Sequence, residues 1–284
     1  MTPRHILLFL AIAFGWSWAF WALPASSHAG LSLPAALPGW LGSGAPAAWG
    51  PFVGAVVVAL VRGGPIALLA LFKRFRIARI GWRWALVVVL TFPLLIGGAT
   101  AFALLTGAAL PPSEALRQPV QIPFAFVYIL FLGGPLQEEL GWRGTLLDPL
   151  QARLGALAAS IVVGAVWAAW HLPLFVFPND IGPYYGRPFA GTLLTLVLVS
   201  VLFTWVWNNT GGSLLAAMVF HAMFNLSHWV FPALADDRAA LALFVLQGAA
   251  VLGVVVAFGP VRLRRGQGAG PDAGNAARSR AKSC

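Results

Sequence analysis

Long apolar runs separated by short polar connections constrain this chain more than any other feature. Eight can be read, near residues 5–23, 47–61, 84–106, 124–147, 156–177, 189–207, 213–233 and 239–260. About 20 apolar residues carry a helix across roughly 30 Å of hydrocarbon. In that solvent an unpaired backbone N–H or C=O is too costly to tolerate, so such runs must fold as helices or close into a barrel, and runs this long favour helices. Composition agrees, since 60% of the residues are hydrophobic and only 9% are charged, against about 25% charged in soluble domains. The expected fold is all-α, a polytopic membrane bundle of about eight transmembrane helices with no inserted soluble domain. The first run resembles a signal peptide, because Arg4 precedes it. Trp16, Trp18 and Trp21 crowd the region where cleavage needs small residues, so the expectation is a retained span.

The formal net charge is +10, which in a soluble chain would raise the prospect of nucleic-acid binding. Placement argues otherwise. With the N-terminus inside, Arg4, Arg62, Lys73, Arg74, Arg76, Arg79, Arg83, Arg143, Arg153 and the basic residues from Arg262 to Lys282 all fall on the inner side, leaving only Arg117, Arg187 and Arg238 outside. That is the positive-inside bias, so both termini are expected in the cytoplasm. The surplus charge is expected to meet lipid headgroups rather than nucleic acid. Residues 1–120 hold the first three spans, 121–260 the remaining ones, and the Gly- and Ala-rich segment 261–284 reads as a disordered basic cytoplasmic tail. The single cysteine, Cys284, excludes a disulfide framework and a Cys-ligated zinc site. As the last residue it is also not a prenylation signal.

Eight acidic residues can be placed one by one. Glu114, Asp180, Asp236 and Asp237 fall in outer connections, Asp148 at a span end and Asp272 in the tail. Glu138 and Glu139 remain, adjacent within an apolar run. An acid at a membrane-helix centre costs about 2.5 to 3.5 kcal/mol, and such residues mark function or a buried pair. Glu139 and Arg143 are spaced i, i+4 and can pair on one helical face. Glu138 is turned about 100° away and is free to face another surface of the bundle. A buried ion network that simply holds helices together is the competing reading.

Of five histidines, His5 and His28 lie at the terminus and in a connection, whereas His171, His221 and His228 fall within or at the end of apolar runs. Trp167 and His171 are i, i+4, and so are His221 and Asn225. One carboxylate, two imidazoles and an amide on three spans contain a base, an orienting partner and oxyanion donors, which water attack on an amide carbonyl requires. At 1.5 Å per residue Glu138 lies about 14 Å, His171 about 22 Å and His221 about 12 Å from the inner ends of their spans. The break at Gly133-Gly134-Pro135 must absorb the mismatch. The same residues admit other readings. Glu138, His171 and His221 can be drawn as an open three-ligand zinc site, although no H-E-x-x-H is present. A non-catalytic scaffold or a transport path would also use membrane-embedded polar residues. Trp40, Trp82 and Trp84 read as interfacial anchors, and Trp142 and Trp170 as packing around a cavity.

Three motifs in order carry a family resemblance: E-E-x-x-x-R from Glu138 to Arg143, Trp167 to His171 where the family shows F-x-x-x-H, and H-x-x-x-N from His221 to Asn225. Together they resemble the CPBP family of intramembrane proteases, which includes type II CAAX prenyl proteases and Abi-like bacteriocin-processing and immunity proteins. The resemblance implies a glutamate-dependent endopeptidase with an eight-helix bundle and a catalytic core in 121–260. In it, Glu138 with His171 would activate water and His221 with Asn225 would stabilise the oxyanion, supported by Glu139, Arg143 and Trp167. Trp167 departs from the family pattern, and its larger ring is expected to narrow the cavity. No cofactor is expected, with zinc as the alternative. The implied substrate is a protein or peptide in or at the membrane, and the implied location is a bacterial plasma membrane. A bacteriocin-immunity-like scaffold is the non-enzymatic alternative.

Overall fold

The computed structural model describes residues 1–28, 30, 39–75, 80–182 and 184–265. Helix α1 (Pro3–His28) and the short α2 (Gly39–Gly42) lead through a 3-10 turn, Ala45–Trp49, into α3 (Gly50–Phe72) and α4 (Trp82–Leu105). Then come α5 (Glu114–Arg117), α6 (Gln121–Leu132), α7 (Pro135–Gly141), a π-helical turn at Trp142–Leu147, and α8 (Asp148–Leu154). The chain continues through α9 (Ala156–Trp170), α10 (Leu172–Val176), α11 (Phe189–Asn209), α12 (Leu214–Val230) and α13 (Asp237–Phe258). Among the described residues there is no strand, and the all-α membrane bundle is the fold. Arg76, Arg79 and the tail from residue 266 onward, with Cys284, lie outside the described residues.

The expected set of eight similar spans resolves into two kinds of helix. Among the described residues, five segments are long and apolar enough to cross a membrane: Pro3–Ser26, Ala45–Phe72, Trp82–Leu105, Phe189–Asn209 and Asp237–Phe258. The other three apolar runs are short or broken. Helices α9 and α12 have 15 and 17 residues, or about 22 and 26 Å of rise. The run read as 124–147 stops at Leu132, restarts at Pro135 and loosens into the π turn. Its break has a local cause. Gly134 adopts φ 114°, a conformation that side-chain-bearing residues rarely reach, and Pro135 opens the new helix without an N–H to satisfy. The side-chain oxygen of Gln137 accepts the freed N–H of Gly134 at 2.9 Å. These three irregular elements, with the turn that follows α9, carry every candidate site residue.

The full-length helices hold the irregular ones by close backbone approach. A Cβ on Gly164 of α9 would lie 2.7 Å from Val197 Cα of α11, and one on Gly141 of α7 would lie 2.6 Å from Pro51 Cβ of α3. The core between them is aromatic, with Phe9, Phe92, Trp142, Trp167, Phe203 and Phe220 buried. Ile66, Leu94, Leu105 and Val256 stand out from the bundle's surface, as side chains that face acyl chains do.

Polar contacts mark one end of the bundle. Arg153 donates to Met1 O at 3.0 Å, Arg74 pairs with Asp148 at 2.7 Å, and Asn208 donates to Arg262 O at 2.8 Å. Arg238, assigned to the opposite side from its position in the sequence, donates to Thr106 O at the far end of α4.

Candidate active site

Glu138 and Glu139 lie in the short helix that restarts after Gly134, and both are buried. The expectation of acids at a helix centre is therefore corrected: Glu138 occupies the first turn of α7. There the unpaired N–H groups and the positive end of the helix dipole favour an acid. The two side chains diverge by about 100° and find separate partners.

Glu139 Oε1 accepts from Arg143 Nη1 at 2.9 Å and from His221 Nδ1 at 2.8 Å. A carboxylate paired with a guanidinium is acceptor-only, so the shared proton of the second contact sits on Nδ1 and Nε2 is the ring's free nitrogen. Arg143 is fully buried. Its guanidinium carbon lies 4.1 Å from the Phe203 ring centroid and 4.8 Å from that of Trp167, so aromatic faces take the place of hydration.

Glu138 is held by indoles instead. Trp167 Nε1 donates to Oε2 at 2.6 Å, and Trp142 Nε1 approaches the same oxygen at 3.4 Å. The other oxygen faces the gap at Gly134, where a Cβ would lie 2.7 Å from Glu138 Oε1 and 3.7 Å from Asn225 Nδ2. Asn225 is oriented by donating to Gly133 O at 3.0 Å. A carboxylate and a carboxamide thus flank one small space that exists because residue 134 has no side chain.

His171 follows α9 directly, with Nδ1 2.9 Å from the Trp167 carbonyl. A carbonyl only accepts, so Nδ1 carries the proton and Nε2 presents its lone pair. The ring packs against Trp170 at 4.7 Å, Tyr184 at 5.6 Å and Trp21 at 6.1 Å between centroids. Trp167 is common to the group, its ring lying 6.3 Å from His171 and 5.3 Å from His221. All seven residues singled out in the sequence therefore gather in one neighbourhood. His228 does not join them and packs on Phe224 instead.

Three participants escape sequence reasoning. Trp142, read as packing, also turns its N–H toward Glu138. Gly134 shapes the gap, and only its place in a Gly-Gly-Pro break signals that. Tyr184, in the connection between α10 and α11, covers His171 and Phe175. Burial pushes its phenol up to about 12, with the negative charge of Glu138 adding to the effect. Nothing in the polar stretch around Tyr184 hints at this role.

The donor geometry does not fit zinc held by Glu138, His171 and His221. Among the described residues no three His, Cys, Asp or Glu side chains converge on one ion position.

Comparison with known proteins bears on the same region. Residues 120–227 match a family model described as type II CAAX prenyl endopeptidase Rce1-like. A protein of Methanococcus maripaludis named CAAX prenyl protease 2 is 32% identical over 123 residues, which is 40% of this chain and 44% of that protein. The chain thus matches less than half the length of that relative.

Proposed function

We propose that this integral membrane protein, whose residues 120–227 match the Rce1-like family model, is a CPBP-type endopeptidase that hydrolyses a peptide bond of a membrane-associated protein or peptide. Glu138, assisted by His171, takes a proton from water as the oxygen attacks the scissile carbonyl. The second N–H of Asn225 donates to the oxyanion, and His221, in its doubly protonated form with Glu139 as counter-ion at Nδ1, donates from Nε2. Collapse of the tetrahedral species breaks the C–N bond, and the proton held by the carboxyl passes to the leaving amine. Residues of this chain supply every group in the sequence of steps, without a cofactor or metal.

The observation that carries this reading is the shared space between Glu138 Oε1 and Asn225 Nδ2 at Gly134. In this reading the carboxylate on one side of the gap is the base and the amide on the other is an oxyanion donor. The clustering of Met1, Arg74, Arg153 and Arg262 at one end of the bundle supports cytoplasmic termini, and a bacterial plasma membrane is part of the same proposal. The name of the methanococcal relative makes prenylated CAAX termini the first substrate class to assay. Nucleic acid has no part in it.

The test is cleavage of a membrane-tethered peptide by purified full-length protein. Glu138→Gln is expected to abolish cleavage while expression and helical content stay unchanged. Failure of the wild type to cut any peptide of the tested class, or full activity of Glu138→Gln, would overturn the proposal.

A further inference from the structure

The two oxygens of Glu138 occupy different environments, and that difference divides their labour. Oε2 accepts from Trp167 Nε1 at 2.6 Å and is approached by Trp142 Nε1 at 3.4 Å. Among the described residues none donates a hydrogen bond to Oε1, which borders the Gly134 gap that Asn225 also lines. Both indoles are themselves immobilised. Trp142 and Trp167 are buried, Arg143 covers one face of the Trp167 ring, and Phe203 meets that ring edge to face at 5.8 Å.

A carboxylate's terminal torsion is broad and two-fold, so an unanchored Glu138 would present either oxygen at a range of angles. A charge-assisted N–H···O bond in a dry interior is stronger than its counterpart in water and fixes that torsion. We propose that Trp167, with Trp142 as a longer second donor, is a positioning residue that pins Oε2 and thereby assigns Oε1 as the oxygen that takes the water's proton. The inference rests on the peptidase reading. The O–H bond of water breaks, its proton goes to Oε1, and the hydroxyl oxygen goes to the carbonyl carbon. The indole N–H stays on Oε2 throughout. A phenylalanine at this position would fill most of the same volume and supply no donor.

The decisive substitution removes the donor and keeps the shape: 3-benzothienylalanine in place of Trp167, where sulfur replaces N–H, with Trp167→Phe alongside. On a peptide that the wild type cuts, kcat is expected to fall about 10- to 100-fold, within the span typical of a positioned acid or base, and KM is expected to stay unchanged. A benzothienylalanine variant with wild-type kcat would overturn the assignment. A second readout does not depend on turnover or on the folding of a Trp167 variant. In protein labelled with 15N at tryptophan, the indole N–H resonance of Trp167 is expected to move when Glu138→Gln removes the charge it points at. An unmoved resonance would overturn the anchor. Should the wild type cut no peptide at all, the peptidase reading falls and takes the assignment of Oε1 with it, while the resonance still decides whether Trp167 holds Glu138.

Discussion

Glu139 Oε1 lies 2.8 Å from His221 Nδ1, a contact that joins α7 to α12 across 82 residues of chain. The same oxygen accepts from Arg143, so a single atom fixes both the charge balance of the buried guanidinium and the orientation of an imidazole beside the candidate base. Removing the carboxylate leaves Arg143 buried without its counter-ion and His221 free to turn.

Glu139→Ala is therefore expected to destabilise the protein by about 3–5 kcal/mol, the usual consequence of breaking a buried pair on one side. Loss of thermal stability in detergent checks this. A midpoint equal to wild type would show that the pair carries no structural weight.

Gly134→Ala tests the gap. The residue sits at φ 114°, and its Cβ would press on Glu138 Oε1 at 2.7 Å. Backbone strain of about 1–3 kcal/mol is expected, together with loss of cleavage, because the new methyl group occupies the space assigned to the reacting atoms. Steady-state cleavage and thermal unfolding of the same preparation separate the two effects.

Metal removal has a defined outcome too. Because the imidazoles and Glu138 do not converge as a ligand set, dialysis against a tight chelator is expected to leave cleavage intact. Elemental analysis of the dialysed, active protein should find zinc well below one ion per chain. Loss of activity that added zinc restores would refute the metal-free mechanism.

Tyr184 gives a pH signature. An unperturbed phenol titrates near pH 10, and this one is pushed up to about 12. The chain has three tyrosines. Absorbance titration at alkaline pH should find one that ionises later than the others and disappears in Tyr184→Phe. Between about pH 10 and 12 the unfolded chain loses that proton while the folded chain keeps it, so stability contributed by this group is present below pH 10 and declines through that window. Tyr184→Phe should flatten the decline, as measured by thermal unfolding at stepped pH.

The particular residues show what the sequence could disclose. The bundle was legible because long apolar runs admit little besides a membrane helix. The Glu139–Arg143 pair was legible because i, i+4 spacing is a local rule. The Glu139–His221 contact was not, since no periodicity links positions 82 residues apart. Hydropathy also hid the distinction between five full-length helices and three short or broken ones. The break depends on the backbone angle of Gly134, which leaves the apolar average of the run unchanged. Trp167 was read as a bulky ring because an aromatic residue in an apolar run has a packing explanation ready, and its N–H matters only once Glu138 is known to lie opposite.

Trp167 meets the rest of the group through every part of its side chain and backbone at once: indole N–H to Glu138, ring face to Arg143, ring to His221, carbonyl to His171. Three polar neighbours consequently lean on one rotamer, and a fourth on the backbone that carries it. Substitutions among them are bound to be non-additive, and a change at any one is felt by residues it never touches. That coupling makes residues scattered along more than eighty positions of sequence answer to substitution as one body.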